Sequence, residues 1–464
     1  MKSSLFLAGA AAAIAGSVLL AQQNSTAPQP RASALPPVAP AQPKFGSTVP
    51  RPEGALPKVP EGFTVSVYAE LPQPRMMVYA PNGDLFVSSP AANTITVLRD
   101  ANNNGVIEES EKSVFAGRTP PPAPPRGGGA GGGRRGGGPP PTAPAAATVN
   151  PTVNGPLLGA AAPACAPPPA DFVNKGAGQV AAPFGLAFNN GYLYVGNTGS
   201  LVRFKYTNGD RQAQGEPEKL MDLPTGGHST RNVLFNRAGT KMYVSVGSSS
   251  NNNAGEDCRR AAILEFNPDG SGFRVFASGI RNPVGLAWQP GTNTLWTAMN
   301  ERDNLGDDLV PDYATSVKDG GFYGWPYSYI GKNYDPRYQG AFPDLVNRAI
   351  VPDVLLPAHS AALGITFYDA TQFPQKYRNG GFVALHGSWN RSVANGYKVV
   401  FFPMNNGRPG PIEDFVSGML ASNGENGSAI EAWGRPVGVT VAKDGSLLVS
   451  DDGSNVIWKI TAKK

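Results

Sequence analysis

Two short apolar runs separated by a polar turn recur along this chain. They lie at Met76–Val87, Phe184–Val195, Asn232–Val244 and Val284–Trp296, with a looser copy from Gly364 to Leu385 and a last one at Val437–Val449. In each copy the second run is rich in Val, Tyr or Trp, and turns such as Asn82-Gly83, Asn190-Gly191 and Asp444-Gly445 divide the runs. That is the signature of an antiparallel hairpin. Six hairpins at blade-like periods predict an all-β, six-bladed β-propeller rather than a sandwich. Phe63–Tyr68 is a further strand with no hairpin partner beside it, and Asn455–Ile460 ends the chain. The two are expected in one sheet, so that an N-terminal strand closes the ring and protects its edges.

Segments without this pattern set the domain boundaries. Met1 and Lys2 precede an apolar run from Leu5 to Leu20, with Ala21 available for cleavage, so 1–21 reads as a secretory signal peptide. Residues 22–58 are Pro/Ala-rich and read as a tether with few groups to bury. The propeller is expected over 59–464, interrupted at about 118–170 by a low-complexity insertion containing Gly127–Gly138. The insertion has neither the preceding strand nor the Lys-Ser/Thr of a phosphate loop, and its three clustered arginines, in an exported chain, do not make an RNA-binding arm.

Charge and cysteine content narrow the function. A net charge of +5 over 464 residues supports neither a nucleic-acid stripe nor a membrane-binding helix, and no spanning segment follows the signal. The expected location is periplasmic or secreted. Cys165 and Cys258 are the only cysteines, enough for one bridge in an oxidising compartment, and no Cys-x-x-Cys-His motif is present for covalent haem.

Polar residues at the strand ends carry the candidate chemistry. His228, His359 and His386 sit in loops beside repeat strands, where an imidazole near its neutral pKa can take a proton from a substrate hydroxyl or simply cap a turn. Arg281 and Asn282 stand just before a repeat's first strand, as does Arg435, which places them at the mouth of the ring. A guanidinium there donates forked hydrogen bonds to adjacent anionic oxygens or forms an inter-blade ion pair. Asp100, Asn102, Asn104 and Glu111 match an oxygen-ligand calcium loop at its first, third, fifth and twelfth positions, with Gly105 at the sixth. Glu301, Asp303, Asp307 and Asp308 form a second, less regular oxygen cluster.

Taken together, Ser278–Trp288, Asn300–Asp303, Leu305–Leu309, Gly324–Pro326 and His386–Arg391 resemble the soluble pyrroloquinoline quinone-dependent sugar dehydrogenases, in particular the sorbosone and pyranose dehydrogenase branch. The resemblance implies a six-bladed propeller binding pyrroloquinoline quinone and calcium. The activity it implies is oxidation of the C1 carbon of an aldose or sugar aldehyde, with the quinone as hydride acceptor and an external quinone or cytochrome taking the electrons. It assigns His228 as general base and sets Arg281 and Asn282 beside the quinone. It also aligns Asp307, Asp308, Tyr323 and Trp325 with stretches around metal and cofactor, and Arg391 and Arg435 with basic cofactor contacts. The sequence departs from the family where the second arginine of a pair falls at Val437 and where Gln179 is the nearest stand-in for a family glutamine. A non-catalytic carbohydrate- or protein-binding propeller and a calcium-dependent lactonase-like hydrolase are the alternative readings, the latter leaving Arg-Asn-Pro and His-Gly-Ser-Trp-Asn-Arg unexplained.

Overall fold

The computed structural model describes residues 34–117 and 175–463. The expected signal peptide, the first part of the tether, the insertion and Cys165 lie outside them; Cys258 is disulfide-bonded. The fold is all-β, with one short helix, Pro343–Asn347, among the described residues. No helix among the described residues is long and apolar enough to cross a membrane.

Each predicted hairpin supplies the first two strands of a four- or five-stranded sheet, antiparallel throughout except where Gly321–Phe322 adds in parallel to the third sheet. The first strands are Met77–Tyr79, Pro183–Asn189, Val233–Phe235, Asn282–Trp288, Ala362–Phe367 and Pro436–Val441, which define sheets one to six in chain order. Successive sheets touch through these first strands. Ser88 Oγ donates to Phe184 O, Gly185 N to Arg231 O, and Asn232 Nδ2 to Val284 O. Asn300 Nδ2 donates to Ala362 O, Tyr368 OH to Gly445 O, and Ser450 Oγ to Arg75 O, which brings sheet six back to sheet one.

The repeated apolar-Gly-apolar triplet has a steric cause in this contact. A Cβ on Gly185, Gly285, Gly364 or Gly438 would lie 2.5, 2.5, 2.5 and 2.4 Å from backbone atoms of the next sheet, well inside van der Waals contact. The first strands therefore approach closely only where the side chain is absent. Met76, Val284, Leu363 and Val437, from four of these strand starts, pack together as a small buried cluster between the sheets.

Strand Phe63–Glu70 pairs antiparallel with Val456–Ala462 in sheet six, from Phe63 opposite Ala462 to Glu70 opposite Val456. Its pattern suits an outer strand: Phe63 and Tyr68 are buried while Thr64 and Ser66 face water.

Antiparallel order fixes which loops share a face. Segments entering each first strand, and loops joining second to third strands, lie at one end of the sheets. His228, Arg281, the 301–308 loop, the 386–395 loop and Asp452 all belong to that end. The loop carrying Asp100 to Glu111 joins the third and fourth strands of sheet one, Thr94–Leu98 and Lys112–Gly117, so it lies at the opposite end.

The second half of the expected tether is docked, contrary to the free segment its composition suggests. Ala39 N donates to Leu305 O, Val49 N to Ala432 O, and Lys58 exchanges backbone bonds with Ser417. Ser47–Thr48 runs parallel to Glu431–Ala432. Backbone pairing, which needs no apolar side chains, holds this Pro-rich stretch against the loops of the His228 end.

Candidate active site

Two buried arginines brace the loop that carries His228. Arg231, with no solvent exposure, donates to the carbonyls of Pro224 at 2.6 Å and of His228 and Thr230 at 2.8 Å each. Arg260 reaches Thr225 O and, at 3.2 Å, Gly247 O. Gly247 lies against the ring-bearing carbon: a Cβ there would come 2.6 Å from His228 Cβ and 2.4 Å from Asn282 Oδ1.

His228 Nδ1 is 2.9 Å from Ser248 O. A carbonyl only accepts, so Nδ1 carries the hydrogen and Nε2 is left with its lone pair. Burial, and then the Arg281 charge, push this imidazole down to about 3. It is neutral at working pH, with its acceptor nitrogen unoccupied by protein.

Arg281 is 5% exposed and spends every N–H inside the protein. Nε donates to Asn251 O at 2.8 Å, NH1 to Glu301 O at 2.7 Å and Asn300 O at 3.4 Å, and NH2 to Asn251 Oδ1 at 3.0 Å and Asp303 Oδ2 at 3.3 Å. The forked donation to a ligand expected of Arg281 is therefore not available in this arrangement, because a guanidinium has five donor hydrogens and all are committed. What remains is its positive charge beside His228. Asn251 is the hub: it also takes Asp303 N at 2.9 Å and gives Nδ2 to Asp303 O at 3.0 Å. Trp325, expected at the cofactor, donates its Nε1 to Asn251 O at 3.0 Å and steadies the same hub.

Asp303 joins this group to His359. His359 Nδ1 lies 3.3 Å from Asp303 Oδ1, and Nε2 lies 2.9 Å from Gly306 O. Burial opposes the charge on both partners, but each ionises the other: His359 is raised above its ordinary range and Asp303 is lowered. A doubly protonated imidazolium suits both acceptors. His359 is thus a buried cation partner and not a base.

A second polar group occupies the same face. His386 Nε2 is 2.8 Å from Asp452 Oδ1, and Arg435 NH2 is 3.0 Å from His386 Nδ1, so both ring nitrogens are used. Burial and then Arg435 push His386 down to about 4. Arg75 approaches Asp452 Oδ2 at 3.3 Å, and its buried Nε has no partner. Burial lowers Arg75, and the nearby Arg435 charge lowers it further. Two cations facing one carboxylate leave an excess of positive charge and unspent donors.

The 386–395 loop adds more unspent groups. Asn390 is fully buried and faces Asp303, yet neither amide atom makes a well-aligned hydrogen bond. Arg391 NH1 donates to Asp307 O at 2.5 Å and Asp308 Oδ1 at 2.6 Å, while its buried Nε is free. Asn282 Oδ1 is likewise buried without a partner, its Nδ2 making one long bond of 3.4 Å to Asn300 Oδ1.

The predicted oxygen cluster of Glu301, Asp303, Asp307 and Asp308, and Tyr323 with it, does not converge. Glu301 Oε2 accepts from Arg302 Nε at 3.0 Å, and Arg302 also holds Asp335 at 3.1 Å, all three wholly buried. Asp307 accepts from Ser392 N and Oγ, and Tyr323 OH donates to Ser316 O at 2.6 Å. Asp308, expected at the cofactor, pairs with Arg391 and is largely exposed. Most of these oxygens have a cation, amide or hydroxyl of their own, Glu301 Oε1 being buried without a partner, and no group of three His, Cys, Asp or Glu side chains among the described residues is placed to hold a metal ion.

The Asp100 loop is wound about its own side chains. Asp100 accepts from Asn104 N and Gly105 N, Asn102 Oδ1 from Asn104 N, and Glu111 from Ala101 N and Glu108 N. Its place at the far end separates it from His228.

Sequence reasoning missed Arg75, Arg231, Asn251, Asn390 and Asp452. For the arginines a signal existed: Arg75 and Arg231 precede first strands as Arg281 and Arg435 do, so the residue recurs at four of six strand entries. Asn251 and Asn390 meet their partners only through the topology.

Residues 195–388 match the Glucose / Sorbosone dehydrogenase family model, and residues 344–463 match the TrAA12-like one. These matches and the shared fold make the chain similar to the soluble pyrroloquinoline quinone-dependent sugar dehydrogenases over part of its length. Among curated relatives, it is 34% identical over 300 residues to the pyrroloquinoline quinone-dependent pyranose dehydrogenase of Coprinopsis cinerea, covering 50% of this chain and 39% of that one. It is 27% identical over 176 residues to an aldose sugar dehydrogenase of Escherichia coli, covering 34% of this chain and 45% of that one. An uncharacterized protein of Borreliella burgdorferi is 32% identical over 243 residues, covering 51% of this chain and 61% of that one. The match thus spans less than two thirds of each relative. The fold superposes on a calcium structure of a Trichoderma reesei AA12 enzyme with a TM-score of 0.63 at 16% identity, covering 92% of this chain and 99% of that one. It superposes on the holo pyranose dehydrogenase domain of Coprinopsis cinerea with the same TM-score at 19% identity, covering 89% and 98%.

Proposed function

We propose that this chain is an exported six-bladed quinoprotein that oxidises carbon 1 of an aldose or sugar aldehyde, and that His228 is its general base. The observation that carries the reading is a neutral imidazole with a free Nε2, held on a braced loop beside a buried cation at the end of the fold where unspent donors collect. Relatives named as quinone-dependent pyranose dehydrogenases support the substrate class and the cofactor.

Pyrroloquinoline quinone is an anionic, carbonyl-bearing ligand, and the unpartnered Arg75 Nε, Arg391 Nε and Asn390 amide fit such a group. These residues with Arg435 and Asn282 would hold it, the excess charge of the Arg75 and Arg435 pair standing where the family's second arginine is missing at Val437. When bound, it supplies the two-electron acceptor for the oxidation. The protein's own part is the proton: His228 Nε2 takes it from the substrate hydroxyl, and the Ser248 carbonyl stabilises the imidazolium that results. The Arg281 charge opposes that protonation and favours an oxyanion on the substrate carbon instead. The acidic side chains of this face are spread over separate ion pairs and amide contacts, and the Asp100 loop, with its calcium-loop spacing, is the site we assign to calcium, as a brace for sheet one. Electrons then pass to an external acceptor.

The test is reconstitution. Purified protein mixed with the quinone and calcium should show an absorbance shift and reduce a dye with aldoses; a shift without dye reduction across an aldose panel would leave a binding module.

A further inference from the structure

Among large apolar side chains, few are exposed, and two of those stack on each other at the rim of the His228 face. Phe45 is 66% and Trp389 45% exposed, with ring centroids 5.5 Å apart and planes 10° from parallel. Phe45 belongs to the docked N-terminal segment and Trp389 to the loop that carries Asn390 and Arg391. Beside them opens a cavity of about 660 Å³ walled by Gln42, Lys44, Ser392, Glu425 and Asn426. Its walls are fixed. Lys44 Nζ ties to Gly424 O at 3.1 Å and Ser428 O at 2.5 Å, and Ser392 is bound to Asp307. Asn426 Nδ2 and Oδ1 make no hydrogen bond among the described residues.

A stacked aromatic shelf next to a cleft of amide, hydroxyl, carboxylate and ammonium groups is the surface chemistry that receives pyranose rings. Their C–H faces lie on aromatic rings, and their hydroxyls both donate and accept. A volume near the middle of the ~300–1,000 Å³ range of ligand sites exceeds what one ring fills. Resting on the proposed sugar oxidation, we infer that this rim cleft is an outer subsite for the non-reacting rings of an oligosaccharide. The reducing end would reach His228 while the following rings lie against Trp389, Phe45 and the 424–427 turn. The docking of residues 34–58 is thereby part of substrate recognition, since it contributes one wall and half of the shelf. A wall pinned before binding costs little ordering when the ligand arrives.

The experiment compares glucose, maltotetraose and cellotetraose as substrates of the quinone-loaded protein, with Trp389→Ala and Phe45→Ala as variants and tetraose-induced tryptophan fluorescence as a separate binding readout. At least one tetraose should have a KM lower than glucose by roughly tenfold, the worth of one or two good contacts. Either variant should erase that advantage, leaving glucose kinetics and melting temperature unchanged. Equal KM values for glucose and both tetraoses in the parent protein, with no fluorescence change, would overturn the subsite. So would tetraose kinetics and binding that ignore both variants. Tetraose binding that depends on Trp389 without oxidation of any sugar would keep the subsite and refute the dehydrogenase reading instead.

Discussion

His228 is chemically distinct from the other two histidines because of what each ring nitrogen touches. His386 has both nitrogens engaged and His359 sits between a carboxylate and a carbonyl, whereas His228 has the carbonyl and hydroxyl of Ser248 at one nitrogen and leaves the other open. Changing His228→Gln keeps a polar side chain but cannot accept a proton, so turnover should fall by roughly 10²-fold or more with quinone binding retained. Stopped-flow turnover with an absorbance titration checks both. Because His228 is held near 3, its protonation should not limit the rate as pH falls from 7 to 5. A rate that halves near pH 6.5 would show an ordinary, solvated imidazole. The Asp303 and His359 pair predicts a different pH effect, on stability. A lowered carboxyl contributes stability above its unfolded value near 3.9, lost as pH falls through the folded value; a raised imidazole contributes fully below about 6.5, lost as pH rises through its folded value. Both are present between those pH values. The melting temperature of Asp303→Asn should therefore trail the parent most at about pH 5 to 6 and less in alkali, and a pH-independent gap would show that the pair is not ionised.

At the scale of the element, hairpins were legible because alternation and Asn-Gly or Asp-Gly turns mark them locally. The outer strands were not. Glu218–Asp222 and Glu413–Val416 are short and largely polar, and only pairing to an inner neighbour makes them strands. Site residues divide in the same way. The arginines at strand entries and His228 sit in recognisable local patterns, but the 301–308 acids read as one oxygen cluster because sequence cannot show that Arg302, Arg391 and Ser392 take them individually. The Asp100 loop shows the reverse case, since its winding is local and its spacing was informative. If it holds calcium, chelation should lower the melting temperature of the parent, and Asp100→Ala with Glu111→Ala should abolish that shift. Its position at the far end predicts unchanged KM for sugar in the variant. Calorimetry showing equal calcium uptake by parent and variant would reduce the loop to a turn.

At the scale of the molecule, Phe63–Glu70 joins the last strand of the described chain in sheet six, and it does more than cover an edge. Phe63, its first residue, is buried among Phe373, Tyr377 and Phe415, with ring centroids at 4.8, 5.3 and 5.1 Å in edge-to-face geometry. Those three rings come from the region of sheet five, so one N-terminal side chain fastens the last sheet to the one before it. Truncating such a ring in a packed cluster costs about 3–5 kcal/mol, because the edge-to-face contacts and the filled volume are lost together. Thr64 and Ser66 on the exposed face of the same strand should tolerate Ala within about 0.5 kcal/mol. Phe63→Ala is therefore expected to lower the denaturation midpoint sharply while Ser66→Ala does not. Because this seam lies at the end of the sheets opposite the His228 face, the Phe63 variant should keep its quinone binding at temperatures where it is still folded. Chemical denaturation followed by tryptophan fluorescence measures the first effect, and a quinone titration below the transition measures the second. Equal midpoints for the two variants would mean that this seam is held by backbone pairing of Phe63–Glu70 with Val456–Ala462 alone.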